Sequence, residues 1–206
     1  MKGCRPLTEV EVRRVLVSFS GRYEVRNRCL FVLGVLCGFR VSEMLSLRIR
    51  DVVAGGLVCK RVKVPKRNMK GSKEGRTAFL PPEGQRAVLG QIQALEYPAP
   101  DDFLFRSQRG KNRAISPSQA HRVLVSCFES CGVVDQVSTH SMRKTFADRM
   151  YTHFLQRVAD GEKVDAFTET SLALGHRDPA STRHYLSFRD DERCEAAKAI
   201  GKALYG

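Results

Sequence analysis

The stretch 25–37 is the most apolar in the chain, and it stops at Gly38 with Arg40 just beyond. Its longest unbroken part, Cys29 to Phe39, is about half of the roughly 20 residues needed to span a bilayer. The stretch therefore reads as a core helix that ends at a glycine cap. Arg40 is then left at a helix junction beside an apolar core, a poor place for an unpaired charge. Glu43 lies three residues on and can orient it. An ordinary surface salt bridge between Arg40 and Glu43 is the other reading of that pair.

The other elements follow from caps and periodicity. Thr8 with Glu11 forms a capping box and predicts a helix over 9–19. A short helix over 42–47 starts at Ser42. Leu57 to Val64 alternates apolar and basic residues, the pattern of a half-buried strand, with Arg76 to Leu80 as its neighbour. The basic connection 65–75 lies between them. A helix over 82–96 follows, then a loop rich in Pro, Asp and Gly to about residue 115. Ser116-Pro117-Ser118-Gln119 caps a helix over 117–131, and another helix covers 140–157. Asp178-Pro179 repeats the cap-plus-proline signal, which places Tyr185 on a helix over 179–187. From Asp190 onward, Ala196, Ala197, Ile200, Ala203 and Leu204 form an apolar stripe at helical spacing. The fold class is α+β, mainly α-helical with a small antiparallel β-sheet. The 206 residues, 42% of them hydrophobic, suffice for one ordinary core.

The net charge of +13 favours nucleic acid or an anionic membrane as partner. The N-terminus, Met1 to Pro6, has no apolar region of a signal peptide, so the chain is expected in the compartment where it is made, the cytoplasm. The seven cysteines are odd in number and scattered, which argues against a disulfide framework. Cys127, Cys131 and His121 would need a fourth ligand and a tighter spacing to hold zinc. No metal site is expected.

Several residues suit an attack on a phosphodiester. Such an ester is already anionic, so a catalyst must neutralise its non-bridging oxygens. Two guanidiniums do this without a metal, because each is permanently charged and forks onto oxygen pairs. Arg40 and Arg143 are the candidates. His140 lies three residues before Arg143 and shares its helix face. Gly175-His176 sits at a helix end, where the imidazole can aim an N–H at a phosphate oxygen. Tyr185 is the candidate nucleophile: a free phenol is mostly protonated at neutral pH, but neighbouring arginines favour phenolate and an imidazole can take the proton. The leaving alkoxide needs a proton, which a lysine can supply. Lys66, Lys70 and Lys73 of the basic connection are available, and most cations there, Arg67 among them, are expected on solvent or phosphates.

Together these motifs resemble the tyrosine recombinase (phage integrase) family. Gly38-Phe39-Arg40-Val41-Ser42-Glu43, Lys70-Gly71 before Arg76 to Pro81, His140-x-x-Arg143, and Leu174-Gly175-His176 followed by Thr182-x-x-Tyr185 match the family pattern over about residues 7–190. The resemblance implies that family's catalytic-domain fold. It also implies Lys70 as the general acid, with Lys73 the alternative; the charge run itself puts Lys66, Arg67 and Lys73 against DNA. The implied reaction is cleavage through a 3′-phosphotyrosyl intermediate with no metal or nucleotide cofactor, because the covalent ester retains the bond energy. The implied partners are double-stranded DNA and other copies of the chain, as a homo-tetramer on paired sites, with no membrane. The tail 190–206 would dock on its own core or on a neighbour.

Most relatives carry an N-terminal DNA-clamping domain, whereas here the catalytic pattern begins almost at Met1. The expectation is one catalytic domain over 1–206, either a natural single-domain member or a truncated form, gripping DNA from one side. Two further readings share the chemistry or the fold: a DNA-binding regulator that no longer cuts, and a type IB topoisomerase-like enzyme.

Overall fold

A computed structural model describes residues 4–64, 76–108, 112–176, 179–186 and 190–205. At its centre is α2 (Glu24–Cys37), with Leu30, Phe31 and Leu33 wholly buried. α1 (Glu9–Ser18) starts at the Thr8–Glu11 capping box and packs on one side of α2. α5 (Pro82–Gln93) and α7 (Thr139–Ala159) cover two more sides, and α6 (Pro117–Ser130) closes the core. Rings of Phe19, Phe31 and Phe128 join α2 to α6 and to the end of α1, with centroids 5.9 and 6.0 Å apart. Contact between α2 and α7 depends on Gly34: a Cβ there would lie 2.8 Å from the Cβ of Met142. The two helices meet nearly backbone to backbone, which fixes the distance between the end of α2 and the start of α7.

α3 (Val41–Leu45) begins directly after Arg40, and the single-turn α4 (Ile49–Val52) leads into the sheets. Here the structure departs from the alternation read in the sequence. The residues 57–64 do not form one strand. β1 (Val53–Ala54) pairs with β2 (Leu57–Val58) across Gly55-Gly56, both with positive φ, and β3 (Arg61–Val64) pairs separately with β4 (Arg76–Phe79). A two-residue turn with both φ positive closes a tight hairpin, and this local pairing takes Leu57 and Val58 out of the longer strand. Among the described residues the small antiparallel sheet expected is divided into two two-stranded pairs, β1 with β2 and β3 with β4. In β4, Arg76 and Ala78 face inward while Thr77 and Phe79 face out.

The C-terminal part holds α8 (Ala166–Leu174), α9 (Pro179–Leu186) and α10 (Asp190–Tyr205). Both α8 and α9 pack on α7. On α10, Ile200 is 60% and Leu204 73% exposed, so the apolar stripe is not covered by the chain's own core. No helix among the described residues is long and apolar enough to cross a membrane, and none of their His, Cys, Asp and Glu side chains form a metal-binding cluster.

Candidate active site

Two helices end at the same place. α2 stops at Gly38 (φ 62°) and α8 at Gly175 (φ 66°), both left-handed caps. A Cβ on Gly38 would fall 2.4 Å from the Phe146 ring, and one on Gly175 2.8 Å from the Cβ of Arg76. Backbone geometry and packing thus demand glycine at both ends. A helix C-terminus presents carbonyl oxygens without intrahelical partners and a partial negative charge, a natural seat for cations. Arginines take these seats. Arg143 donates through Nη1 to the carbonyl oxygen of Gly38 and through Nη2 to that of Leu174, the latter at 2.8 Å. Arg76 donates to the same Gly38 oxygen at 3.1 Å.

The third guanidinium belongs to Arg40, which donates to Glu43 Oε1 at 2.8 Å, while Glu43 Oε2 accepts from the Arg40 amide at 2.9 Å. This is the salt bridge read in the sequence, but it is not a surface one: the Glu43 side chain is 0% exposed and also accepts from Arg76 Nη2 at 2.8 Å. Burial alone would raise the Glu43 carboxyl. The hydrogen bond and charge of Arg76, followed by the charge of Arg143 and the Arg40 amide, outweigh it and bring the value down to about 2. Arg143 is lowered to about 10 by burial and then by its cationic neighbours Arg40 and Arg76, and so remains charged at neutral pH.

His176 follows the Gly175 cap, with its amide held by the Ser171 carbonyl at 3.0 Å. Its Nε2 lies 3.1 Å from Arg143 Nη2 and 3.4 Å from Arg40 Nη2. Its Nδ1 lies 2.8 Å from Thr182 Oγ1 on α9. Burial first, then the charges of Arg143, Arg40 and Arg76, push His176 down to about 3, so the imidazole is neutral at pH 7. The Tyr185 ring lies on the same spot: its centroid is 5.1 Å from that of His176 and 5.3 Å from the Arg143 guanidinium carbon. His140, on the first turn of α7, lines with Arg40 and Arg143 an open cavity of about 840 Å³. That cavity is also bordered by His121 and Arg122 of α6.

Of the residues singled out in the sequence, Arg40, Glu43, Arg143, His176 and Tyr185 gather at one point, and His140 opens beside them. Lys66, Arg67, Lys70 and Lys73 lie outside the described residues, as does Asp178. Arg76 is a residue to which sequence reasoning gave a place in a strand but no role in the site. Its signal was present: it is in phase with Ala78 on the core-facing side of β4 and with Leu80 just beyond it, where a cation requires a buried partner.

A helical domain with two small hairpins and this gathered set of arginines, histidines and a tyrosine has the fold of a tyrosine recombinase catalytic domain. Its structure is similar to that of the XerH recombinase bound to a palindromic difH substrate after cleavage (TM-score 0.71, 22% identity, covering 98% of this chain and 54% of that one). It is also similar to the XerA recombinase structure (TM-score 0.68, 23% identity, 89% and 60% covered). The chain belongs to the phage integrase family, whose model matches residues 5–192. Among curated proteins it is 26% identical to the probable integrase/recombinase YoeC of Bacillus subtilis, over 96% of this chain and 97% of that protein. It is 29% identical to the tyrosine recombinase XerA of Pyrococcus furiosus, over 88% of this chain but 56% of that one. The chain thus spans YoeC almost fully and little more than half of XerA.

Proposed function

We propose that the protein is a site-specific DNA recombinase that cuts and rejoins double-stranded DNA through Tyr185. The observation that carries this reading is a charge imbalance. Three guanidiniums, of Arg40, Arg76 and Arg143, converge beside the Glu43 carboxylate, which accepts from Arg40 and Arg76, while Arg143 is held by the backbone carbonyl oxygens of Gly38 and Leu174. Buried cations in excess require an anion, and a backbone phosphate brought to the Tyr185 ring supplies one.

Arg40 and Arg143 hold the non-bridging oxygens and stabilise the charge that builds in the pentacoordinate transition state. His140 donates to the same phosphate from the cavity side. The Tyr185 oxygen attacks phosphorus, and the bond from phosphorus to the 5′-oxygen breaks. The phenolic proton passes to an imidazole, and Lys70 or Lys73 gives a proton to the departing 5′-oxygen. Attack by the 5′-hydroxyl of a partner strand on the 3′-phosphotyrosine reverses these steps and frees Tyr185. Glu43 and Arg76 do not touch the phosphate; they hold Arg40 and the Gly38 end of α2. Lys66, Arg67 and Lys73 contact the DNA backbone.

Strand exchange requires paired sites, and the working form is a homo-tetramer on two DNA duplexes. The exposed Ile200 and Leu204 of α10 support docking of the tail on a neighbouring copy. The protein acts in the cytoplasm, where its DNA is.

A nicked suicide substrate tests the reading. It traps the cleaved strand on the protein as a covalent adduct visible on a denaturing gel. Tyr185→Phe abolishes the adduct and leaves binding intact. An adduct that survives the substitution rejects Tyr185, binding with no adduct from the unsubstituted protein supports a regulator, and supercoil relaxation without strand exchange supports a topoisomerase.

A further inference from the structure

The hydrogen-bond pattern around His176 fixes which ring nitrogen carries its proton. Nε2 faces Nη2 of both Arg143 and Arg40, at 3.1 and 3.4 Å. A guanidinium only donates, so Nε2 must present its lone pair. The ring is neutral, and the proton therefore sits on Nδ1. Nδ1–H points at Thr182 Oγ1, 2.8 Å away, and Thr182 in turn donates to Ser171 Oγ at 3.0 Å. Thr182 is 0% and Ser171 7% exposed, so water does not compete for this chain.

We infer that Thr182, backed by Ser171, is a positioning residue that holds His176 as its Nδ1–H tautomer, with Nε2 as an acceptor toward the two arginines. This is the less populated tautomer of a free imidazole in water, and an acceptor on Nδ1–H is what selects it. The orientation has a chemical consequence. The sequence alone suggested an N–H aimed at a phosphate oxygen, whereas in this tautomer Nε2 has no hydrogen to give. It aligns the guanidinium edges of Arg40 and Arg143 before DNA arrives. Once a phosphate draws those edges away, Nε2 is left with a free lone pair on the side of the Tyr185 ring, whose centroid is 5.1 Å from that of His176. Thr182 also links the two helices of the site, because it lies on α9 with Tyr185 while Ser171 lies on α8.

The activity side of this inference rests on the recombinase reading, but its structural side does not. The first test is nitrogen-15 NMR of histidine-labelled protein without DNA, with His176 assigned through His176→Gln. The expected result is a protonated Nδ1 and an unprotonated Nε2 near neutral pH. A protonated Nε2 overturns the inference without any substitution and leaves the recombinase reading standing. The second test compares Thr182→Val, which keeps the shape but loses the acceptor, with Thr182→Ser, which keeps the acceptor. Thr182→Val is expected to shift His176 toward the Nε2–H tautomer and to slow adduct formation on the suicide substrate by about tenfold or more, with DNA affinity unchanged. Thr182→Ser is expected to restore both. An unchanged tautomer in Thr182→Val, or a Thr182→Ser protein as slow as Thr182→Val, overturns the positioning role. Should Thr182→Val fail to fold, the tautomer of the unsubstituted protein and the rate of Thr182→Ser decide.

Discussion

Arg76 and Glu43 form an ion pair at 2.8 Å in which the side chains are only 3% and 0% exposed. Removing one partner from such a pair strands the other charge away from water. Arg76→Met should destabilise the fold by about 3 kcal/mol or more in urea titrations. The double variant Arg76→Met/Glu43→Gln should be less unstable than the sum of the single ones, since it removes the stranded charge. Strict additivity would contradict the pairing.

Acid should unfold the protein through this same cluster. Glu43 is held at about 2, below its ordinary value of 4.5, so its stabilisation is complete above pH 4.5 and is lost as pH falls toward 2. His176 is held at about 3, below its ordinary 6.5, so between those values the unfolded chain binds a proton that the folded one refuses. Both effects have one sign, and stability should fall continuously from about pH 6.5 downward. His176→Gln should flatten the upper part of that curve, from pH 6.5 to 4.5. An unaltered profile would contradict the neutral buried imidazole.

Gly175→Ala and Gly161→Ala should differ sharply. Both glycines have positive φ, 66° and 87°, so both substitutions carry the left-handed penalty of about 1–2 kcal/mol. A Cβ at Gly161 meets nothing within 4 Å, while at Gly175 it meets the Arg76 side chain at 2.6 and 2.8 Å. Thermal melting should show the larger loss for Gly175→Ala, and adduct formation should fall only for that variant.

DNA binding by this basic chain should be strongly salt-dependent. If six phosphates are neutralised, affinity drops on the order of a thousandfold between about 50 and 200 mM salt. A filter-binding series showing salt-insensitive affinity would contradict backbone contacts as its source.

Much of this arrangement was legible before any coordinates. The apolar run ending at Gly38 located α2 and put Arg40 at its exit, and the Thr8 and Ser116 caps placed α1 and α6 within a residue or two. The longer reach of the pattern failed where local turns compete with it. Gly55-Gly56 made a hairpin of what the alternation suggested was a continuous strand. The helix over 166–174 went undrawn although Gly175 marked its end, because its cap, Asp165, comes only a few residues after α7 closes at Asp160 and carries no following proline. Arg76 was hidden for a different reason. Sequence shows a charge but not the carboxylate waiting for it 33 positions away.

The carbonyl oxygen of Gly38 accepts from both Arg76 and Arg143. One backbone atom therefore acts as a common keystone for a group that orders the site and a group that meets the substrate. Disturbing either arginine shifts the anchor of the other, so their substitutions should show strong epistasis. Variation at one of these positions is then tolerated only alongside a compensating change at its neighbour, and the trio of Gly38, Arg76 and Arg143 should evolve as a single character.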